Sequence, residues 1–219
     1  TSTFNSTHYI AVWYDNSEGD TSFIICSSSN SCGAIADADA TSSGSMATVT
    51  TLNSTHSALI WDDSSSDLNL EVFNQYTSVF AEIIIETSLS TATSTGATID
   101  ITTLNSTDYV MSWGQSGART NVSSYNVSKS QIWSNSLGST ASDDWSAVAS
   151  LEAGTGQSFC NNNIIVSYTV STTQANWTAY QSNGSAWDGT CPAATVADVD
   201  ISFGPASTTS LIFNQPQIC

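Results

Sequence analysis

The sequence predicts an all-β protein, organised as a propeller-like repeat of four-stranded antiparallel blades with about four and a half units. The first observation behind this prediction is the phrase T-F-N-S-T at Thr3, which recurs without gaps as T-L-N-S-T at Thr51 and Thr103. The copies are 48 and 52 residues apart, a period typical of propeller blades or long β repeats. The second observation is that apolar and polar residues alternate with the period of a β-strand, and no segment has a helical pattern. We therefore predict a single domain over 1–219, with repeat units at 1–52, 53–104, 105–143 and 144–197 and a partial unit at 198–219.

Each predicted strand is a short alternating or apolar run between polar turns. In the first unit the strands are expected at 9–13, 22–26, 34–38 and 47–51, and in the second at 56–61, 68–75, 79–87 and 98–104. In the third unit they are expected at 109–113, 121–127 and 130–134, and in the fourth at 146–151, 164–170 and 177–181. The partial fifth unit offers strands at 199–203 and 210–214. An incomplete unit leaves an open sheet edge, through which the protein could associate with itself.

The composition excludes several classes of function. Among 219 residues there are 2 Lys+Arg and 19 Asp+Glu, which gives a formal net charge of −17. A surface this acidic repels phosphate backbones and anionic lipids, so we expect no nucleic-acid partner. No apolar run is long enough for a membrane span, so we expect no direct membrane insertion. Arg119 and Lys129 are the only basic side chains that phosphate chemistry could use, which makes most phosphate enzymology improbable.

Seven N-x-[ST] sequons predict an N-glycosylated protein that is secreted or displayed at the cell surface. They begin at Asn5, Asn53, Asn105, Asn121, Asn126, Asn176 and Asn183. Asn5, Asn53 and Asn105 belong to the repeated phrase, so we expect them in the link from one blade to the next, glycosylated together or not at all. The other four sequons lie outside this register.

The five cysteines indicate an oxidised, extracellular framework, because none forms a C-x-x-C pair and the chain has only two histidines. Cys26 and Cys32 flank one predicted hairpin turn and could close it, and Cys160 could reach Cys191. Cys219 is left over and could form an intermolecular contact. The same scarcity of ligands makes a zinc site improbable, and we predict no metal and no cofactor.

The tryptophans fall into two groups. Trp13, Trp61 and Trp113 end the same strand in three copies and are interpreted as core wedges between blades, although a stacking platform for a sugar ring would use the same residue type. Five aromatic residues occur outside that register and are better candidates for a carbohydrate-binding surface: Trp133, Trp145, Trp177, Tyr180 and Trp187.

The segments "SALIWDDSSSDLNLEVFNQ" and "SAVASLEAGTGQSFCNNNIIVSYTV" resemble the first two blade strands of the fungal fucose-binding lectins, and "NWTAYQSNGSAWDG" resembles the third. The resemblance implies a propeller fold and carbohydrate binding. In that family an Arg of the second strand and an acid of the third bind the sugar. The resemblance makes Glu82 and Asp37 candidate sugar ligands, whereas the position of the Arg holds Glu71 or Ile165 and the fourth unit has Thr178 at the acid position.

The carboxylates cluster in turns, at Asp15/Glu18/Asp20, Asp37/Asp39, Asp62/Asp63/Asp67 and Asp143/Asp144. A glycosidase needs two carboxylates across the scissile bond, and oxygen ligands at alternating positions would suit Ca²⁺. Equivalent turns in neighbouring repeats favour solvated turn chemistry over both readings. His8 and His56 are likewise repeat residues rather than a pair of bases.

These patterns predict a non-catalytic, lectin-like carbohydrate-binding protein whose partners are glycans. A structural subunit of an extracellular filament or surface coat, acting through self-association, is the alternative. A glycoside hydrolase is a distant third.

Overall fold

In the computed structural model, the described residues are 1–15, 17–39, 46–63, 67–74, 83–86, 99–115, 119–138, 146–151, 163–171 and 174–186. These residues form fifteen β-strands and no helix, which confirms the all-β prediction. No candidate for a membrane-spanning helix is found in this part of the chain. The strands expected at 199–203 and 210–214 lie outside the described residues.

The strands form four antiparallel sheets, each a meander in chain order. The first sheet contains β1 (Ser2–Asn5), β2 (His8–Asp15), β3 (Asp20–Ser27) and β4 (Ala36–Asp39). The second contains β5 (Ala47–Thr51), β6 (His56–Asp62), β7 (Leu68–Asn74) and β8 (Ile83–Glu86), and the third contains β9 (Ile99–Thr103), β10 (Asp108–Gln115), β11 (Arg119–Asn126) and β12 (Gln131–Gly138). The fourth contains β13 (Ser146–Leu151), β14 (Asn163–Ser171) and β15 (Gln174–Tyr180).

The strands at 47–51 and 98–104 exist, but their predicted placement at the end of a unit is wrong. β5 pairs with β6 and β9 with β10, so each is the first strand of the following sheet. The reason is the turn in the repeated phrase, where Leu52 N donates to His56 O at 2.9 Å and Leu104 N to Asp108 O at 2.9 Å. The phrase is thus a hairpin turn within a sheet, not a link between blades. The first copy of the phrase forms the same kind of hairpin, which makes Ser2–Asn5 the first strand of the first sheet, β1, a strand that was not predicted from the sequence.

Successive sheets pack face to face, because neighbouring residues of each second strand point to opposite faces. In β6, Leu59 and Trp61 pack against the first sheet, while Ala58 and Ile60 pack against the third. A further core between the third and fourth sheets contains Leu104, Val110, Val122, Val148, Ile164, Val166 and Tyr180. The second and third sheets are therefore apolar on both faces.

The repeated tryptophans occupy these cores. Trp61 is fully buried and Trp113 is 4% exposed, which confirms both as core residues. Trp13, at the same position of the first sheet, is only partly buried. Trp61 and Trp113 pack against the first and second sheets respectively, whereas no sheet covers the face of Trp13 among the described residues.

Hydroxyl groups connect the first strands of successive sheets. Ser2 Oγ lies 2.8 Å from Thr51 Oγ1 and Thr50 Oγ1 lies 2.8 Å from Thr103 Oγ1. Thr102 Oγ1 lies 3.3 Å from Ser150 Oγ. The same contact between neighbouring sheets thus occurs three times, at 49, 53 and 48 residues of separation.

Three sheets also share the turn that follows their third strand. In it, the first residue's N donates to the fifth residue's O, at 2.8 Å for Ser27–Ser31, 3.0 Å for Asn126–Ser130 and 2.9 Å for Gln181–Ser185. The fourth residue has a positive φ and is Asn30, Lys129 or Gly184. In the first sheet a disulfide between Cys26 and Cys32 spans this turn, which confirms that predicted pair. Cys160, Cys191 and Cys219 lie outside the described residues.

Candidate carbohydrate-binding site

A cavity of about 270 Å³ lies on the first sheet, where the β1–β2 hairpin meets the turn after β3. It is lined by Thr1, Ser2, Thr3, Ser6, His8, Tyr9 and Ser28. Its volume is close to the lower end of ligand pockets, which start at about 300 Å³. The sequence analysis missed this set because it did not recognise β1.

The pairing of β1 with β2 brings two of the lining residues, Thr3 and Tyr9, together. Thr3 is opposite Tyr9 in the β1–β2 ladder, so both side chains lie on one face of the sheet. Ser28 N donates to Thr7 O at 2.7 Å and holds the two turns together. The hydroxyl of Tyr9 donates to Asn30 Oδ1 at 3.3 Å, which fixes the outer end of the ring.

The lining is rich in hydroxyl groups and carries one imidazole but no Asp, Glu, Lys or Arg. Hydroxyls can both donate and accept hydrogen bonds, so they match the hydroxyls of a neutral sugar. The face of Tyr9 offers an apolar surface for the C–H groups of a ring. The cavity therefore suits a small, neutral, hydroxyl-rich ligand.

The predicted aromatic residues Trp133 and Tyr180 come together, with ring centroids 5.9 Å apart. Trp133 Nε1 donates to Ser182 O at 2.8 Å, and a Cβ at Gly184 would meet the Trp133 ring at 2.6 Å. The Trp133 side chain thus packs β12 of the third sheet against the turn that follows β15 in the fourth sheet. Tyr180 is 8% exposed, so this pair connects two sheets.

Four other predicted site residues are described partly or not at all. Trp177 lies in β15, opposite Ser167, and only its backbone is described. Trp145, Trp187 and Glu82 lie outside the described residues. Their role in carbohydrate binding stays a prediction.

Asp37 lies in an acidic cluster at the other end of the first sheet. Carboxylate oxygens of Glu18, Asp20 and Asp37 lie within 4.8 Å of one another. The hydroxyl of Ser22 donates to Asp20 Oδ1 at 3.4 Å and to Asp37 Oδ1 at 3.3 Å. Three carboxylates at this spacing could ligate a hard divalent cation such as Ca²⁺. The sequence had separated them into two clusters, and the pairing of Ser22 with Asp37 in the β3–β4 ladder is the signal that joins them.

In the second sheet, Glu71 holds the position at which the lectin resemblance would place a sugar-binding Arg, and this position is not accessible to a ligand. Glu71 is 2% exposed and lies 3.4 Å from Lys129 Nζ, which comes from the third sheet. Tyr109 and Tyr125 stack at 6.2 Å in the adjoining core, and burial raises the pKa of both phenols. Side chains of the protein fill this position.

The sequons lie in different environments. In the repeated turn, Asn53 Nδ2 donates to Ser106 O of the next sheet at 2.8 Å, whereas Asn105 is exposed and its Nδ2 donates to Asp108 Oδ2 at 2.9 Å. Asn121 is buried within β11, while Asn183 is exposed in a turn. Asn126 is the last residue of β11 and is partly buried, and only the backbone is described for Asn5 in β1 and Asn176 in β15. Joint glycosylation of Asn5, Asn53 and Asn105 stays a prediction, although their turns lie within sheets and not between blades.

The chain matches no protein-family model and no curated protein sequence.

Proposed function

We propose that this protein is an extracellular, N-glycosylated, non-catalytic carbohydrate-binding protein with a propeller-like arrangement of its sheets, and that the first-sheet cavity binds a neutral sugar. The observation that carries the proposal is the lining of the cavity, where hydroxyls, one imidazole and one phenol ring surround a small space and no side chain is an Asp, Glu, Lys or Arg.

The sheet arrangement supports the propeller-like part of the proposal. Each sheet is a meander that packs on its chain neighbour, and the first strands meet through equivalent hydroxyl contacts. Radial repetition of short meanders is the way propellers protect their sheet edges. The Cys26–Cys32 disulfide and the seven sequons support an extracellular location.

The placement of the acids supports the non-catalytic part. β3 begins at Asp20, beside the acidic cluster, and ends at Ser27, beside the cavity. At ~3.3 Å per residue, a strand of this length separates the two sites by about 23 Å. Because glycoside hydrolysis needs two carboxylates at the scissile bond, this cluster cannot act on a sugar held in the cavity.

The experiment is binding of the full-length protein to an array of neutral and acidic glycans, followed by calorimetry on the best ligand. We expect neutral glycans to be retained, and Tyr9→Ala to weaken binding about tenfold through the loss of a ring contact worth ~1.4 kcal/mol. The matched control is Tyr14→Ala, at the other end of the same strand. No binding to any glycan, or equal affinity for both variants, would refute the cavity as a sugar site.

A structural subunit of a filament or coat is the second candidate. It is favoured by the outward face of the first sheet, where Tyr9, Ala11 and Trp13 are only partly buried. Fibres or regular coats in electron micrographs of the native material would support it.

A further inference from the structure

The first-sheet cavity lies at the surface through which each later sheet contacts the sheet before it. Thr3 and Ser6 line the cavity, and in the repeated phrase they stand at the positions of Thr103 and Ser106 of the third sheet. Thr103 and Ser106 both contact the second sheet. Among the described residues, no sheet precedes the first one. The contacts of the third sheet therefore indicate which chemical groups a ligand should offer to Thr3 and Ser6.

In the third sheet, the partners at these two positions include two amide groups. The hydroxyl of Thr103 donates to the carbonyl oxygen of Thr51 at 2.6 Å. The side-chain amide of Asn53 donates through Nδ2 to the carbonyl oxygen of Ser106 at 2.8 Å. The first position thus donates to an amide carbonyl, and the second accepts from an amide N–H.

A hydroxyl group completes this set of partners. Thr50 Oγ1 lies 2.8 Å from Thr103 Oγ1. Because the Thr103 hydroxyl gives its single hydrogen to the carbonyl of Thr51, it accepts a hydrogen bond from Thr50. The second sheet therefore offers the third sheet one hydroxyl and the two polar groups of an amide.

An N-acetylated amino sugar carries this combination of groups, whereas a plain hexose carries only hydroxyls. The carbonyl oxygen of an acetamido group can accept a hydrogen bond from the Thr3 hydroxyl, and its N–H can donate to the Ser6 carbonyl. Both kinds of sugar provide ring hydroxyls for the other hydroxyls of the lining. The acetamido group therefore satisfies two positions at which a plain hexose has a single hydroxyl.

The phenol ring of Tyr9 offers a surface for the acetyl methyl group. Tyr9 is partly buried, and its hydroxyl donates to Asn30 Oδ1 at 3.3 Å, which fixes the ring. In the third sheet the equivalent residue, Tyr109, lies in an apolar core with Leu52. A methyl group placed on the Tyr9 ring is removed from water in the same way, and this burial favours binding.

The charge of the protein limits the class of sugar further. The formal net charge is −17, so an N-acetylated sugar that also carries a carboxylate is repelled. The groups on the page therefore favour a neutral N-acetylated amino sugar.

We propose that the first-sheet cavity binds a neutral N-acetylated amino sugar in preference to the hexose that lacks the acetamido group. The acetamido carbonyl accepts a hydrogen bond from the Thr3 hydroxyl, and the acetamido N–H donates to the Ser6 carbonyl. This preference rests on the proposed function, because it names the class of sugar that the same cavity binds.

The test is calorimetry of the full chain with two pairs of methyl glycosides: the N-acetylglucosaminide against the glucoside, and the N-acetylgalactosaminide against the galactoside. The members of each pair differ only in carrying an acetamido group or a hydroxyl at one ring carbon. We expect the N-acetylated member of at least one pair to bind about tenfold more tightly, which is the effect of one further hydrogen bond.

Thr3→Val tests the contact with the acetamido carbonyl, because it removes the hydroxyl and keeps the size of the side chain. In this variant the ratio of the two affinities within the preferred pair should fall several-fold, toward one. Thr3→Ser keeps the hydroxyl and is the matched control, for which we expect a ratio close to that of the wild type. Thr3 is exposed in β1, and circular dichroism checks that both variants fold.

Equal affinity within both pairs would overturn the preference, while the binding of neutral sugars, and with it the proposed function, would stand. A ratio that Thr3→Val leaves unchanged would overturn the contact at Thr3, and should this variant not fold, the ratios of the wild type decide. An N-acetylated dipeptide amide that binds as tightly as the N-acetylated sugar would identify a peptide as the class of ligand. No binding of any of the four glycosides would refute the sugar site and the preference together.

Discussion

Lys129 in the turn after β11 forms an ion pair with Glu71 in β7, at 3.4 Å between Nζ and Oε2. The pair joins the third sheet to the second and uses one of the two basic side chains in the protein. Its Glu71 end is buried and its Lys129 end is 18% exposed. The chain therefore uses half of its positive charge to hold one sheet interface.

Lys129→Met should destabilise the fold by about 3 kcal/mol, because it leaves the Glu71 carboxylate buried without its cation. Adding Glu71→Leu should recover most of this loss, since an apolar pair of similar volume avoids the desolvation cost. Urea denaturation measures both effects. The control is Arg119→Met, an exposed basic residue, and equal losses for the two single variants would contradict a structural role for the pair.

Gly184→Ala should destabilise the fold more than Gly19→Ala. Both glycines have a positive φ, +81° and +78°, so both substitutions cost backbone strain. At Gly184 the added Cβ would also meet the Trp133 ring at 2.6 Å, whereas Gly19 has nothing within 4 Å. Overpacking of this kind costs about 1–3 kcal/mol, and urea midpoints with near-ultraviolet circular dichroism of the Trp band measure it. Equal losses would mean that the ring does not lie on the glycine.

Asp100 should make the protein less stable as the pH rises from about 4 to about 6. Burial raises the pKa of its carboxyl to about 6, although the backbone N–H groups of Val148 and Ile101 bond it at 3.0 and 2.9 Å. The folded state then binds more protons than the unfolded state over this range, so the free energy of unfolding falls with rising pH. A shift of this size is worth on the order of 2 kcal/mol.

Comparison of wild type with Asp100→Asn over this pH range isolates the effect, because other carboxyls contribute equally to both. Asp15→Asn is a control of opposite sign, since the hydroxyl and N–H of Ser17 lower the pKa of Asp15. Relative to Asp15→Asn, the wild-type protein should lose free energy of unfolding as the pH falls through the range in which Asp15 becomes protonated. A pH profile unchanged by Asp100→Asn would refute the raised pKa of this carboxyl.

Local patterns allowed the strands to be predicted, but not all of their partners. The alternation around Ile99 and Ile101 predicts a strand wherever it pairs, and only the hydrogen bonds of the turn at Leu104 show that it opens the third sheet. Cys26 and Cys32 could be paired from sequence because both flank one turn. The cavity and the acidic cluster could not be predicted, because the cavity depends on β1, which was not recognised as a strand, and the cluster depends on the register of β3 against β4.

Asn121 should carry no glycan, whereas Asn105 and Asn183 should be glycosylated. Asn121 lies in β11, is 9% exposed and accepts a hydrogen bond from the hydroxyl of Ser136 in the neighbouring strand. A glycan there would force the third sheet apart, so a modified chain would not complete this fold. Asn105 and Asn183 are exposed in turns, where a glycan meets water. Site-resolved glycopeptide mapping of native, secreted material measures all three sites, and Asn183 is the internal control for transferase access. An occupied Asn121 in folded protein would contradict the position of β11 between β10 and β12, and a bare Asn183 would argue against passage through a glycosylating compartment.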